Sequence, residues 1–253
     1  MKVSIITTSY NRAHSIKNTI ESVLAQDYDD IEHIIIDGAS TDGTLDVVNQ
    51  YKDKISKIFS EPDTGIYNAL NKGIQHCTGD VVGLLHSDDV FYDSDTISKI
   101  AAVFKETNAD IVYANGQYVD ADNAIQIKRI YPAKKYRKSL LYFGWIPLHT
   151  TIFVRKAIFE KYGLYREEFY IASDYEMSLR WFTNPVIKKV FLNNWVVKMC
   201  LGGKSTDMRQ QKKKSAEDLI IIKEHGLLGY FTLFCKIGRK IPQYLLPRIK
   251  NYN

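Results

Sequence analysis

An apolar run of strand length ends in two adjacent carboxylates in Val81-Val82-Gly83-Leu84-Leu85-His86-Ser87-Asp88-Asp89. In open α/β sheets, ligands bind outside the carboxyl ends of the strands, so an acidic pair there indicates a binding site. Paired carboxylates suit a divalent cation such as Mg²⁺, especially one that carries a substrate diphosphate. The stretch therefore predicts a metal and nucleotide site at a sheet edge. A solvated turn after a buried strand is the alternative interpretation of an isolated Asp-Asp pair.

The length and composition limit the class of protein. The chain has 253 residues, 45% of them hydrophobic, which suits one large domain or one domain with an appendage. Its three cysteines are scattered, so neither a disulfide framework nor a zinc site is indicated and a reducing compartment is expected. No segment approaches the roughly 20 apolar residues of a spanning helix, and no signal peptide is recognisable. We therefore expect a protein on the cytosolic side of the membrane.

The net charge of +5 is unevenly distributed along the chain. Residues 204–250 contain 11 Lys and Arg against 4 Asp and Glu, a net charge of +7, so residues 1–203 sum to −2. From residue 215 onward, aliphatic and aromatic residues alternate with cations, as expected of interfacial helices. Contact with an anionic membrane surface is the favoured interpretation; packing of these helices on the rest of the protein and nucleic-acid binding are the alternatives.

Strands and helices alternate over the first 110 residues. Besides the acidic strand, apolar runs of strand length lie at residues 3–8, 31–36 and 55–60. Helical periodicity follows at residues 15–26, 44–51, 66–74 and 94–106. This alternation is typical of βαβ units and predicts a parallel sheet whose polar loops converge at one edge.

The pattern changes to that of an antiparallel meander beyond residue 110. Short strands are predicted at residues 111–114, 117–120 and 125–131, with a turn at Asp122 and Asn123, and then at 152–154, 186–191 and 195–200. Helices are predicted at residues 156–162 and 174–182. Asp174 begins the second of these helices, where the helix dipole favours its ionised form.

Four carboxylates in these loops have complementary chemistry. Asp37 can accept hydrogen bonds from a base or sugar, and Asp88 from a ribose hydroxyl. Asp89 can ligate a metal that neutralises a diphosphate leaving group, and Asp174 can take a proton from an incoming hydroxyl. The sequence lacks the motifs that would indicate a different reaction: a Gly-x-Ser-x-Gly elbow, a His-Glu-x-x-His motif, or a Gly-x-Gly-x-x-Gly turn after the first strand.

Five ordered motifs together resemble a family 2 glycosyltransferase. They are VSIITTSYN at 3–11, DGASTDGT at 37–44, DTGIYNALNKG at 63–73, LLHSDD at 84–89 and SDYE at 173–176. The resemblance covers about residues 1–205 and is closest to bacterial enzymes that build O-antigen, capsule and exopolysaccharide repeat units. Two departures are His86, where an asparagine is expected, and Ser173, where many relatives carry an acidic residue.

The resemblance implies an α/β GT-A fold. The expected architecture is a Rossmann-like, mostly parallel central sheet flanked by helices, with a small antiparallel part on the acceptor side and C-terminal amphipathic helices. Residues 1–205 would form the catalytic domain, with a nucleotide-sugar half over 1–110 and an acceptor half over 111–205. Residues 206–253 would be a basic amphipathic tail that binds the inner membrane surface, which makes the protein a cytoplasmic, peripheral membrane protein.

The implied activity is metal-dependent, inverting transfer in a single displacement. The donor would be a nucleotide-diphosphate sugar, with a UDP-linked hexose or N-acetylhexosamine favoured, and the cofactor Mg²⁺ or Mn²⁺. The acceptor would be a hydroxyl of a lipid-diphosphate-linked saccharide, and no nucleic acid would be involved. The alternatives are a sugar nucleotidyltransferase, whose glycine-rich loop after the first strand is missing here, and a non-catalytic nucleotide or nucleic-acid binding module.

Individual roles follow from positions in the motifs. Donor contacts are implied for Thr8, Tyr10, Asp37, Asn71, Lys72 and Asp88. Asp89, the last residue of the DXD-like motif, would hold the metal, and Asp174 would be the catalytic base. The residues expected to line the acceptor pocket or approach its diphosphate are His149, Glu176, Trp145, Lys204 and Arg209.

Overall fold

A computed structural model describes residues 1–120, 126–201 and 210–249. Its strands form a single nine-stranded sheet. They are β1 Val3–Ser9, β2 Ile31–Asp37, β3 Lys57–Ser60, β4 Val81–Leu84, β5 Val90–Phe91, β6 Ile111–Val119, β7 Ile127–Tyr131, β8 Ile152–Arg155 and β9 Lys189–Cys200.

Helices pack on both faces of this sheet. They are α1 Ile16–Leu24, α2 Thr44–Asn49, α3 Ile66–His76, α4 Thr96–Thr107, α5 Ser139–Tyr142, α6 Lys156–Tyr162, α7 Ser173–Thr183, α8 Gln211–Glu224, α9 Tyr230–Gly238 and α10 Lys240–Ile249. A short 3₁₀ turn, His149–Thr151, precedes β8. Of the described helices, none combines the length and the apolar composition that crossing a membrane requires.

The first half of the sheet is parallel, as the alternation of strands and helices predicts. Strands β3, β2, β1 and β4 are neighbours in that order, and all three pairings between them are parallel. Within this register Ser9 lies opposite Asp37, and Ile6 lies opposite Leu84. The loops that follow β1, β2 and β4 therefore begin at the same edge of the sheet.

The second half of the sheet is mixed. Strand β8 pairs antiparallel with β4 and with β6, whereas β6 and β9 are parallel neighbours. Strands β5 and β7 are antiparallel to their partners β9 and β6. Six strands, β1 to β4, β6 and β9, thus run in one direction and three run in the other. The predicted α/β class is confirmed.

Two strands are longer than the sequence pattern predicts. Strand β6 is continuous through Asn115 and Gly116, and β9 is continuous through Asn193, where the sequence predicts breaks. The Asn115 side chain donates to Asn193 Oδ1 (3.3 Å) and accepts from the backbone of Ala133 (2.7 Å). Because these polar side chains find hydrogen-bond partners in β9 and in the segment after β7, the strands tolerate them. The predicted turn at Asp122 and Asn123 lies outside the described residues.

The C-terminal helices pack on the rest of the protein through part of their surface. Ile221 and Ile222 of α8 are fully buried and belong to the main hydrophobic core. Helix α10 lies against β7, where Gln243 Oε1 accepts a hydrogen bond of 2.8 Å from Arg129. Apolar side chains on the outer surface remain exposed. The predicted tail is therefore an integral layer of the fold over its described residues.

We expect Ile222→Ala to reduce the free energy of unfolding by about 2–5 kcal/mol, because it removes a fully buried side chain and leaves a cavity. Ile220→Ala is the matched control on the same helix, where the side chain is 50% exposed, and should change stability by less than about 0.5 kcal/mol. Urea unfolding measures both. Equal effects of the two substitutions would show that α8 does not pack as described.

Candidate active site

A cavity lies at the sheet edge where β1 and β4 end, and we call it the acidic cavity. Segments distant in sequence form its walls, including the loops after β1 and β4, the start of α3 and the start of α7. Its polar lining includes Thr8, Tyr10, Asp63, Asp88, Asp89 and Asp174. The cavity thus brings together six residues named from the sequence: Thr8, Tyr10, Asp88, Asp89, His149 and Asp174.

Asp89 is buried with one carboxylate oxygen unpaired. Its Oδ1 accepts a hydrogen bond of 3.2 Å from the backbone N–H of Cys200, whereas Oδ2 has no partner among the described residues. Burial and the neighbouring Asp88 raise the pKa of Asp89 well above its usual range. Burial also raises the pKa of Asp88, and Arg12 partly opposes this. The ionised forms of both carboxylates are therefore destabilised, and one oxygen of Asp89 lacks a hydrogen-bond partner. A bound cation would stabilise these two negative charges.

The described residues contain no group of three or more side chains suited to holding a metal ion. A divalent cation at Asp89 would therefore take most of its ligands from water and from a bound diphosphate. Mg²⁺ is commonly held in this way, by one or two carboxylates plus substrate phosphates. The residues present fit a metal that arrives with a nucleotide better than one held by the protein alone.

Asp37 is completely buried beneath the loop at the end of β2 and does not line the acidic cavity. Its carboxylate accepts hydrogen bonds from Ser9 Oγ (3.0 Å), Ser60 Oγ (2.8 Å) and both the N–H and Oγ of Ser40. Asp37 therefore ties together the loops after β1, β2 and β3. Its predicted direct contact with a base or sugar stays a prediction.

Asn71 and Lys72 are also engaged away from the cavity. Asn71 exchanges hydrogen bonds of 2.9 Å with the backbone N–H and C=O of Tyr165. Lys72 pairs with Glu61 (2.7 Å) and donates to the Pro62 carbonyl (3.0 Å). Both side chains fix neighbouring loops in place, and their predicted role in nucleotide binding stays a prediction.

Two charged residues that line the acidic cavity are not singled out by the sequence analysis. Arg12 and Asp63 both line the acidic cavity. Both lie in or beside motifs that the sequence does reveal, since Arg12 follows Asn11 and Asp63 opens the DTGIYNALNKG motif. A Cβ atom on Gly38 would lie 2.6 Å from Asp63 Oδ2, so only glycine at position 38 allows Asp63 its place. Their positions in or next to these motifs are therefore the sequence signal that could have identified Arg12 and Asp63.

Asp174 is joined to β4 and β1 through two histidines. Its Oδ2 lies 3.3 Å from His149 Nδ1, His149 Nε2 lies 3.0 Å from His86 Nε2, and His86 Nδ1 lies 3.3 Å from Thr8 Oγ1. Burial lowers the pKa of His149, and burial with His149 lowers that of His86 to about 3, so both rings are neutral at pH 7. One consistent arrangement has His149 donating to Asp174, His86 donating to His149, and Thr8 donating to His86.

Asp174 remains ionised in this setting. Burial by itself would raise its pKa, but His149, Lys214 and Lys236 outweigh burial, and the pKa lies below its ordinary value. The Tyr67 hydroxyl lies 3.3 Å from Oδ1 and donates to the Ile171 carbonyl at 2.7 Å. The carboxylate is therefore fixed in position and available to accept a proton.

Two predicted acceptor residues lie inside the protein. Glu176 is buried and pairs with Arg180 and with His225 (3.4 Å), which lower its pKa although burial opposes them. Trp145 is buried against the rings of Tyr113 and Phe182. The structure brings neither side chain to the acidic cavity. Lys204 and Arg209 lie outside the described residues.

A second cavity lies on the other side of Asp174, and we call it the basic cavity. Tyr118, His149 and Asp174 line both cavities, so these three side chains form a shared wall. The basic cavity is closed by β7 and by α8, α9 and α10. The carboxylate suited to accept a proton therefore faces two compartments at once.

Comparison with known proteins identifies the family. Residues 4–163 match the family described as "Glycosyl transferase family 2". The chain belongs to that family. A relative from Mycobacterium bovis, named "PGL/p-HBAD biosynthesis glycosyltransferase", is 29% identical over 73% of this chain and 71% of its own length. An uncharacterised glycosyltransferase of Rickettsia prowazekii is 28% identical over 96% of this chain and 83% of its own. The protein is a glycosyltransferase.

Solved structures show the same fold. The crystal structure of S. aureus TarS 1–349 in complex with UDP-GlcNAc has a TM-score of 0.68 and 20% sequence identity, covering 88% of this chain and 66% of that one. A longer TarS crystal structure, at 19% identity and the same TM-score, is matched over 39% of its length. The mannosyltransferase PcManGT from Pyrobaculum calidifontis, in complex with GDP-Man and Mn²⁺, has a TM-score of 0.62 at 17% identity, over 88% of this chain and 62% of that one. The predicted GT-A fold is therefore confirmed.

We expect His149→Gln to reduce kcat by about tenfold, the effect of losing one hydrogen bond to a charged group. The acid limb of the pH–rate profile should also move to higher pH, because His149 lowers the pKa of Asp174 and activity needs the ionised carboxylate. His76→Gln, which removes an exposed histidine outside the cavity, is the matched control. An unchanged acid limb in His149→Gln would contradict the positioning role.

Proposed function

We propose that this glycosyltransferase moves a hexose or N-acetylhexosamine from a UDP-sugar to a hydroxyl of a lipid-diphosphate-linked saccharide. One observation carries the proposal: Asp174, held ionised, forms part of the wall between the acidic cavity and the basic cavity. A donor in the first cavity and an acceptor in the second would meet at this carboxylate. The role would be in the synthesis of a surface polysaccharide such as O-antigen, capsule or exopolysaccharide.

The donor site is assigned to the acidic cavity. Tyr10 is 63% exposed at the cavity, where its ring is free to stack on a nucleobase. Thr8 and Asp88 offer polar contacts for the nucleoside and sugar. The crystallised complexes of TarS with UDP-GlcNAc and with UDP support a uridine nucleotide, since this chain has the TarS fold.

Asp89, with Asp88 beside it, would hold a Mg²⁺ or Mn²⁺ ion. The unpaired Oδ2 of Asp89 and the raised pKa values of both carboxylates favour a cation, and the complex of PcManGT with Mn²⁺ lends support. When bound, such an ion acts as a Lewis acid that neutralises the departing diphosphate. Asp37 would support this site indirectly by fixing the surrounding loops.

Asp174 would act as the general base in a single displacement. The acceptor oxygen forms the new bond to the anomeric carbon, its proton passes to Asp174, and the bond from that carbon to the diphosphate oxygen breaks. Attack opposite the leaving group inverts the anomeric configuration. The hydrogen bond from His149 would keep the carboxylate oriented towards the acceptor oxygen, and the lowered pKa keeps it unprotonated before the reaction.

The outer surface of the C-terminal helices supports a peripheral association with the inner face of the cytoplasmic membrane. Several large apolar side chains of this segment are exposed: Leu228, Tyr230, Phe231, Phe234, Ile237, Ile241, Leu245 and Ile249. Lys and Arg residues occupy the same helices. An apolar face with flanking cations is what an anionic lipid surface binds.

We expect turnover of the sugar donor to require both Asp174 and Asp89, the first for proton transfer and the second for metal binding. Asp174→Asn should reduce transfer by about a hundredfold or more while UDP still binds, because only the proton acceptor is lost. Asp89→Asn should weaken the metal-dependent binding of UDP. Turnover is screened with UDP-, GDP- and dTDP-sugars in Mg²⁺ or Mn²⁺ by measuring released nucleoside diphosphate.

Asp93→Asn is the control for this screen, since Asp93 is an exposed carboxylate near the acidic pair that does not line the cavity. It should keep wild-type turnover. Full activity in Asp174→Asn or Asp89→Asn would refute the role assigned to that residue. Release of pyrophosphate in place of nucleoside diphosphate would indicate a nucleotidyltransferase and refute the reaction proposed here.

Membrane association is tested on vesicles. Phe234 is 76% exposed, and Phe234→Ser should weaken co-sedimentation with anionic vesicles by about tenfold, because a large apolar side chain no longer enters the lipid. Val186→Ser is the control, since Val186 is 72% exposed but lies before β9, away from these helices. Identical sedimentation of the wild-type protein and Phe234→Ser would exclude this surface as the membrane contact.

A further inference from the structure

The basic cavity is lined by an unusual concentration of positive charge. Five cationic side chains line it: Arg129, Lys214, Lys236, Arg239 and Lys240. Among its described lining residues, Asp174 of the shared wall is the sole carboxylate. The cavity therefore has a strongly positive field that reaches the proposed catalytic base.

Arg129 is a buried cation without a described carboxylate partner. It is 7% exposed, and its guanidinium lies 4.8 Å from the ring centre of Tyr118, 5.3 Å from that of Tyr131 and 5.2 Å from that of Tyr244. The side-chain oxygen of Gln243 accepts hydrogen bonds from it. Tyrosine rings and an amide orient this charge but do not neutralise it, so the site is complete only with an anion.

The remaining cations are also largely uncompensated. Lys236 pairs with Asp218 at 2.6 Å, whereas Lys214, Arg239 and Lys240 form no ion pair with any carboxylate in the described parts of the chain. Burial, together with Lys214, Arg129 and Lys236, lowers the pKa of Lys240 to about 8. Like charges held close together in a partly buried cavity repel one another, and a bound anion would relieve that repulsion.

We propose that the basic cavity binds the phosphate or diphosphate group of the acceptor and so positions the acceptor hydroxyl at Asp174. The proposal rests on the transferase function above and assigns the anion-binding part of its acceptor site. Arg129, Arg239 and Lys240 are the residues expected to contact the phosphate oxygens. Specificity for a phosphorylated acceptor is thus built by β7 together with the C-terminal helices.

The position of the cavity favours a lipid-linked anion. Helix α9 contributes Lys236 to the basic cavity and exposes Phe234 and Ile237 to solvent. Helix α10 likewise contributes Lys240 and exposes Ile241. A lipid chain in the membrane and its diphosphate head in the cavity could therefore be held by successive residues of the same two helices.

Direct binding tests the site. Isothermal titration calorimetry of the full chain, with UDP and Mg²⁺ saturating so that the acidic cavity is filled, measures the Kd of farnesyl diphosphate. Lys240→Gln and Arg239→Gln should each raise this Kd by about tenfold, as expected for the loss of one charge-assisted contact. Lys240→Arg, which keeps the charge, should restore binding.

Lys212→Gln is the matched control, because it removes the same charge from an exposed position of α8 outside the cavity. It should bind farnesyl diphosphate like the wild-type protein. Wild-type Kd values in both cavity variants, or equal weakening in Lys212→Gln, would overturn the proposal. Inorganic pyrophosphate distinguishes the source of the anion: weaker binding than farnesyl diphosphate supports a lipid-linked group, and equal binding would overturn that assignment.

The pH dependence of binding supplies a second readout. Lys240 is charged below its pKa of about 8 and neutral above it, so the Kd of farnesyl diphosphate should rise between pH 7 and pH 9. The groups that face Lys240 are Arg129 from β7, Lys214 and Asp218 from α8, and Lys236 from α9. The terminal phosphate of the probe has a pKa of about 6, so its remaining ionisation above pH 7 only adds negative charge and does not account for a rise in Kd. The rise should be smaller in Lys240→Gln, and an identical rise would count against the proposal.

The experiments distinguish refutation of the proposed anion site from refutation of the proposed transferase function. If no donor releases nucleoside diphosphate but Lys240→Gln weakens farnesyl diphosphate binding, the donor assignment fails and the anion site stands. If an acceptor without phosphate has the same KM as its phosphorylated form, the anion site fails and the transferase function stands.

Discussion

Parallel pairing of β1 with β2 on one side and with β4 on the other is the constraint on which the site depends. It places the polar ends of three strands at one edge of the sheet. Asp37 then ties the end of β1 and the loop after β2 to the end of β3 through Ser9, Ser40 and Ser60, without reaching the cavity. The acidic pair is displayed there because the strand before it is buried and ends at that edge.

Two cavities of opposite charge meet at Asp174. Asp88 and Asp89 make one cavity attractive to a cation, whereas five Lys and Arg side chains make the other attractive to an anion. Holding like charges close together in each cavity raises the free energy of the folded protein. A bound substrate or its metal would compensate these charges. Asp174 stays ionised between them because His149 together with Lys214 and Lys236 outweighs the effect of burial, and its pKa lies below the ordinary value. The charge pattern of the fold thus matches a reaction between a diphosphate donor and a phosphorylated acceptor.

The alternating apolar and cationic residues of the C-terminal helices occupy three different environments. Aliphatic residues such as Ile221 and Ile222 enter the core, cations such as Lys240 line the basic cavity, and aromatic residues such as Phe234 face outward. The sequence predicts amphipathic helices there, and helices are found. Periodicity identifies the apolar residues of a helix but does not distinguish packing on the domain from packing on lipid, since both bury the same kind of side chain.

The sequence by itself determined the βαβ half of the fold and singled out three carboxylates of the candidate site, because strand and helix periodicity and the polar ends of strands and starts of helices are local properties. Asp88, Asp89 and Asp174 were recognised on that basis and do meet in one cavity. Only the tertiary structure decided which polar residues face it. Asn71 is held by Tyr165, Glu176 by His225, and Arg129 by Gln243. Such partners come from segments far apart in the chain, and hydrogen bonding between them depends on packing that no local pattern records.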